Sequence, residues 1–298
     1  MKRAHNKLIV GLLLVVLLVG FTACTKAEEP ETEAVEVAVE ETEEMVEEVA
    51  EEVTLTGEIT VSGSTSVEPV GVALGEEFTA LNPDVTFTYE GIGSSGGVKN
   101  ANDGTTMIGT ASRNIKDSEK EYGMTEQVLA YDGIAVVVNP ANGVSDLTLE
   151  QVQGIYLGEI TNWSEVGGAD AEIAVVSRED GSGTRGAFEE LVDFEDALTA
   201  SAIIKEGNGN VQTTVAGNEL AIGYVSFTYL DDTIKGVAIN GVLPSIEAVL
   251  DATYPVSRPF NIVYHEENLT DAAKAWLEWV TSDEAKEIIS EKGAIPLD

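Results

Sequence analysis

From residue 54 onward, short apolar runs of strand length alternate with segments whose apolar residues recur at helical spacing, and that alternation confines the chain to α/β architecture. Strands are expected over residues 58–62, 85–89, 107–109, 134–138, 173–177, 221–225, 237–239 and 261–264. One helix is expected to present Val70, Leu74, Phe78 and Leu81 on a single face, and a second to carry Ala187, Phe188, Leu191 and Val192. A third, capped by Thr270, bears Trp276, Trp279 and Val280. Thr281-Ser282-Asp283-Glu284 has the form of a capping box opening a last helix, which Gly293 is placed to end.

The first 53 residues follow other rules. Lys2, Arg3 and Lys7 precede an apolar run from Leu8 to Phe21, too short to span a bilayer comfortably and shaped like a secretory signal. It ends in Phe21-Thr22-Ala23-Cys24, which resembles the site where a bacterial lipoprotein is cut before Cys and acylated; the alternative is an ordinary signal followed by a free thiol. Residues 1–23 therefore read as a signal peptide and Cys24 as the lipid anchor. From Thr25 to Val53 the chain carries 13 Glu and one Lys, so self-repulsion favours an extended tether over 24–53.

Charge then excludes partners. With 16 Lys+Arg against 53 Asp+Glu the formal net charge is −37; loss of the three signal cations makes it −40, and removal of the tether's −12 leaves −28 on residues 54–298. Such a surface offers no basic footprint for nucleic acid or an anionic membrane face. The single Cys excludes a disulfide framework and a Cys-rich zinc site.

Three Gly/Ser loops carry the chemistry: Ser62-Gly63-Ser64-Thr65-Ser66, Gly91-Ile92-Gly93-Ser94-Ser95-Gly96-Gly97, and Asp180-Gly181-Ser182-Gly183-Thr184-Arg185. Each follows a strand and opens a helix, so free backbone N–H groups, hydroxyls and the helix dipole gather where an anion could sit. A plain capping role would account for any one of them. Three in one chain, with Arg178 and Arg113 nearby, point to oxyanion binding. The second loop also satisfies the dinucleotide fingerprint G-x-G-x-x-G. Only about ten residues separate it from the next strand, however, which is short for the helix of a βαβ crossover. It satisfies G-x-S-x-G as well, so a serine hydrolase using Ser95 and His265 is the enzyme alternative.

These segments, with Ile155-Tyr156-Leu157-Gly158-Glu159-Ile160-Thr161-Asn162-Trp163, Arg178-Glu179-Asp180-Gly181-Ser182-Gly183-Thr184-Arg185 and Ala221-Ile222-Gly223-Tyr224-Val225, resemble the phosphate-binding lipoproteins that feed high-affinity phosphate ABC transporters. The resemblance covers residues 55–298. It implies a two-lobed periplasmic-binding-protein fold, with two mixed-sheet α/β lobes, lobe one over 54–135 and 258–298 and lobe two over 136–257. Hinge strands would cross near 134–138 and 255–262. Phosphate would be bound by Ser64, Thr65, Ser66, Ser94, Ser95 and Arg113 from lobe one and by Arg178, Ser182, Gly183 and Thr184 from lobe two, with Asp180 orienting Arg178. The segment 155–163 would be structural. Arg113 departs from family members that place an Asp there to accept the proton of monohydrogen phosphate; Glu68 is a candidate acceptor, or a solvated carboxylate at a helix start. The implied protein is a monomeric receptor without catalytic activity, metal or cofactor. It would be lipid-anchored on the extracytoplasmic face of the cell membrane and serve ABC transporter permease subunits. Sulfate or molybdate is the alternative ligand on the same fold.

Overall fold

The computed structural model describes residues 54–297; the signal at 1–23, Cys24 and the tether to residue 53 lie outside the described residues. In chain order the elements are β1 (Gly57–Gly63), α1 (Glu68–Leu81), β2 (Val85–Gly91), α2 (Ser94–Asn102), β3 (Ile108–Ala111), α3 (Asp117–Lys120) and β4 (Thr125–Val138). There follow β5 (Asp146–Leu147), α4 (Leu149–Leu157), β6 (Ala174–Arg178), α5 (Gly183–Val192), β7 (Ile203–Lys205), α6 (Gly207–Ala216) and β8 (Ala221–Ser226). Last come β9 (Lys235–Gly236), β10 (Ala238–Ile239), α7 (Ile246–Leu250), β11 (Ser257–Tyr264), α8 (Asp271–Trp279), α9 (Asp283–Glu291) and β12 (Ile295–Pro296).

One path of hydrogen-bonded strands runs β2-β1-β3-β11-β4-β8-β6-β7. The 14 residues of β4 serve both ends of it: Thr125–Gly133 pairs antiparallel with β11, and Ile134–Val138 pairs antiparallel with β8. Around this crossing the apolar side chains sort into two lobes. Ile59, Val61, Leu74, Phe78, Phe260, Ile262 and Trp276 bury against one another in the first. Val136, Tyr156, Trp163, Phe188, Tyr224 and Val225 do so in the second, where Tyr224 stacks on Phe188 with centroids 4.1 Å apart. The 155–163 segment contributes Tyr156 and Trp163 to this core, and the Trp163 indole N–H donates to the Leu220 carbonyl at 3.0 Å.

Several sequence expectations need correction. Helix α2 does fit between β2 and β3, because nine residues suffice to cross over β1, to which both strands are paired in parallel. Leu81 is 52% exposed at the last turn of α1, where Asn82 turns the chain toward β2. The last helix is capped by Ser282, whose hydroxyl accepts from the Ala285 N–H at 3.2 Å, and not by Thr281.

Candidate functional site

The three loops converge where the lobes meet. Gly63 ends β1 at φ +142°, and a Cβ there would stand 2.2 Å from the Thr110 carbonyl oxygen, so only glycine lets the first loop pass this close to β3. Beyond it the Ser64 hydroxyl accepts from the Ser66 N–H at 3.1 Å and the Val67 N–H at 3.4 Å, which fixes the turn into α1. That turn presents Thr65 and Ser66 to the other lobe. Thr65 Oγ1 accepts from Arg178 Nη2 and from Asn208 Nδ2, each at 3.2 Å. Ser66 Oγ lies 2.8 Å from Thr184 Oγ1 and accepts from Asn208 Nδ2 at 2.9 Å and from Arg258 Nη2 at 3.1 Å.

From the second loop, Ser94 Oγ accepts from the Ser112 N–H at 3.1 Å. From the third, Gly183 opens α5 against it: a Cβ on Gly183 would be 2.1 Å from Ser94 Oγ and 2.8 Å from Ser112 Oγ. Opposite loops thus touch, and the Ser95 N–H donates across the lobes to the Gly181 carbonyl at 3.1 Å. The first amides of α5 have no acceptor within the helix, so they add donors to this junction. Beside it lies a cavity of about 860 Å³ lined by Thr65, Glu68, Glu179, Asn208 and Tyr229 among others.

The expected site residues divide accordingly. Thr65, Ser66, Ser94, Arg178, Gly183 and Thr184 come together. The Ser64 and Ser182 hydroxyls cap their own turns as acceptors, Ser182 Oγ accepting from the Arg185 N–H at 3.2 Å, and each keeps its proton to donate. Ser95 Oγ accepts from Arg113 Nη2 at 3.1 Å, and Arg113 is held by Glu119 through two bonds of 2.8 Å, so both side chains face a second, smaller hollow with Lys116, Asp180 and Arg185.

Asp180 is not brought to Arg178. Its side chain is 96% exposed and pairs with Arg185 Nη1 at 2.7 Å. Arg178 is gripped by its neighbour Glu179, Nε to Oε2 at 2.8 Å and Nη2 to Oε1 at 2.7 Å, because the chain doubles back after β6 and lays the Glu179 carboxylate along the guanidinium. Glu68 lines the cavity half-buried, and burial raises its carboxyl above the ordinary range.

Four contributors went unread in the sequence: Asp132, Asn208, Ser112 and Arg258. Asp132 and Arg258 face each other across β4 and β11, with Arg258 Nη2 2.8 Å from Asp132 Oδ2 and both side chains almost fully buried. A lone charge inside an apolar strand run, as in Tyr131-Asp132-Gly133-Ile134 and Val256-Ser257-Arg258-Pro259-Phe260, is the signal that could have found them, since unpaired charges are seldom buried. Burial raises the Asp132 carboxyl and lowers the Arg258 guanidinium, and the charge of Arg178 lowers Arg258 further. Glu179 behaves otherwise. Burial pushes it up, but Arg178 and the Gly207 N–H outweigh that and hold it below the usual carboxylate range.

Two α/β lobes joined by crossing strands, with hydroxyls, amides and arginine converging between them, define a receptor that encloses a small ligand. Residues 48–284 match the family model described as the PBP superfamily domain. Phosphate-binding protein PstS of Bacillus subtilis is 30% identical over 98% of this chain and 94% of its own length. A phosphate ABC transporter substrate-binding protein with bound phosphate from Clostridium perfringens has a TM-score of 0.80 and 48% identity, covering 81% of this chain and 100% of that one. An ABC-type phosphate transport receptor from Vibrio cholerae has a TM-score of 0.69 and 36% identity, covering 81% and 100%. The chain belongs to the PstS family of substrate-binding proteins of phosphate ABC transporters, within the PBP superfamily.

The family is one of receptors and not of enzymes, which removes the hydrolase alternative. Geometry agrees: Ser95 opens α2, whereas the His265 ring lies 3.4 Å from Asn102 at the far end of that helix.

Proposed function

We propose that this chain captures inorganic phosphate between its lobes and delivers it to an ABC importer. The observation that carries the reading is the convergence of Ser66 from one lobe with Thr184 and Arg178 from the other, linked within 3.4 Å of one another around Ser66 Oγ and Thr184 Oγ1. Thr65, Ser66 and Ser94 would meet the anion from lobe one, and Arg178, Gly183 and Thr184 from lobe two, with Glu179 aiming Arg178. Hydrogen bonds of about 1 kcal/mol each, and roughly 1.5–3 kcal/mol where a charge assists, reach micromolar affinity with eight or so contacts after the cost of closure. Ligand bridging both lobes selects the closed state about the β4 and β11 crossing.

In this reading residues 54–135 and 258–298 form lobe one and 136–257 lobe two; the two cores support the division to within two residues, since Ile134 and Ala135 pack in the second. Residues 1–23 act as a lipoprotein signal, Cys24 carries the acyl chains, and 24–53 tethers a monomer to the extracytoplasmic membrane face beside the permease. A thermal-shift and calorimetric panel of phosphate, arsenate, sulfate and molybdate tests the reading. Phosphate is expected to raise Tm most and to bind at micromolar concentration or below; no phosphate binding, or a larger response to sulfate or molybdate, would overturn it.

A further inference from the structure

The buried ion pair at the lobe crossing is not accounted for by the three loops. Asp132 and Arg258 are opposite partners on β4 and β11. Asp132 receives four donors: Arg258 Nε and Nη2 on one oxygen, and the Ser226 hydroxyl and Phe227 N–H on the other. Its acceptor capacity is full. Arg258 has five N–H groups, and four carry these contacts: two to Asp132, one from Nη1 to the Ser112 carbonyl at 2.7 Å, and one from Nη2 to Ser66 Oγ at 3.1 Å. One Nη1 N–H remains, on the nitrogen that also bonds the Ser112 carbonyl; the hydroxyl of Ser112 lies 3.5 Å from Ser94 Oγ.

Arg258 and Asn208 both donate to Ser66 Oγ, filling its lone pairs, so its proton must point outward, toward Thr184 Oγ1. Arg258 thereby makes Ser66 a donor. Moreover, both guanidinium groups reach the Ser66–Thr184 pair, Arg258 Nη2 donating to Ser66 Oγ at 3.1 Å and Arg178 Nη1 to Thr184 Oγ1 at 3.4 Å, so an anion at that pair would meet both charges. Replacing a buried ion pair by apolar side chains of similar volume is often neutral for stability, so stability alone does not account for the pair.

We propose that Arg258 is a second guanidinium ligand of the bound oxyanion, contributed by the hinge strand β11, and that Asp132 is the positioning residue that aims it. The inference rests on the phosphate reading above. Arg258 is fixed by Ser112 and Asp132 and stands ready at the crossing, whereas Arg178 arrives with the second lobe.

The test compares phosphate Kd by calorimetry, and Tm without phosphate, for wild type, Arg258→Lys, Asp132→Asn and the double variant Asp132→Asn with Arg258→Met. The double variant removes both buried charges, so it is expected to keep the wild-type Tm or exceed it while binding phosphate at least about 100-fold more weakly. Arg258→Lys keeps the charge without the fork and is expected to weaken binding about tenfold, and Asp132→Asn to weaken it at least as much at temperatures well below its Tm. A stable double variant that binds within twofold of wild type would overturn the inference. Should the double variant not fold, a wild-type Kd in Arg258→Lys overturns it equally. If wild type itself binds no phosphate, the phosphate reading fails, an outcome distinct from both.

Discussion

Ser66 Oγ and Thr184 Oγ1, 118 residues apart in the chain and on opposite lobes, stand 2.8 Å apart. Each is placed by its own loop. Ser66 is held by the Ser64 turn at the end of β1, and Thr184 by the start of α5, so their contact reports that the two lobes close on one point. The function follows from what surrounds that point.

Removing the Arg178 guanidinium leaves the buried face of Glu179 and the anion both unmatched. Arg178→Ala is expected to weaken phosphate binding by about 2–5 kcal/mol in calorimetry. An unchanged Kd would take Arg178 out of the site.

Glu179 and Asp180 are adjacent yet should behave differently. Glu179→Gln loses the carboxylate that aims Arg178 and is expected to weaken phosphate binding about tenfold or more. Asp180→Ala touches only an exposed pair with Arg185 and should leave Kd within about twofold. Equal losses in titrations of the two variants would contradict this assignment.

Gly183 tests closure directly. An added Cβ would press on Ser94 Oγ and Ser112 Oγ, which belong to the other lobe, and not on the core of its own. Gly183→Ala is expected to hold Tm in phosphate-free buffer within a few degrees of wild type and to weaken phosphate binding about tenfold or more. Loss of Tm with intact affinity would place the contact in folding instead.

Much of this was legible in the sequence, and the exceptions have physical causes. The Gly63, Gly93 and Gly183 loops announce themselves because strand, glycine, hydroxyl and helix start are neighbours in sequence. Residues 125–133 of β4 did not read as a strand: Thr125, Glu126, Gln127 and Asp132 break the apolar pattern, since one end is exposed and Asp132 is paired across the sheet. That partner, Arg258, lies 126 residues away, and no local pattern links the two. Arg113 read as an anion ligand for the converse reason. Its partner Glu119 sits six residues on, where only the fold of α3 shows that the two meet.

Salt dependence distinguishes a buried site from a basic surface. The chain's formal charge of −37 repels an approaching dianion, and added salt screens that repulsion while leaving the enclosed contacts alone. The association rate in stopped-flow mixing is expected to stay level or rise from low to physiological salt. A steep fall would indicate an exposed cationic site.

Acid stability follows from Glu119 and Glu179. Burial opposes their ionisation, yet their arginine partners prevail and hold both carboxyls below the ordinary value. A group depressed in the folded state contributes stability that is fully present above its unfolded value, about 4.3 for Glu, and is lost as pH falls through the folded value. Tm in phosphate-free buffer should therefore hold near pH 6 and drop as pH is lowered beneath about 4. A Tm that climbs over that lower interval would contradict the sign.

The most direct measurement is a crystal structure of the protein grown with phosphate. The phosphate oxygens are expected within hydrogen-bond reach, about 3.2 Å, of groups from both lobes at once: Ser66 and Ser94 on one side, Thr184 and Arg178 on the other. Phosphate held by a single lobe, or seated beside Arg113, Lys116 and Arg185 with the Ser66–Thr184 junction untouched, would contradict it.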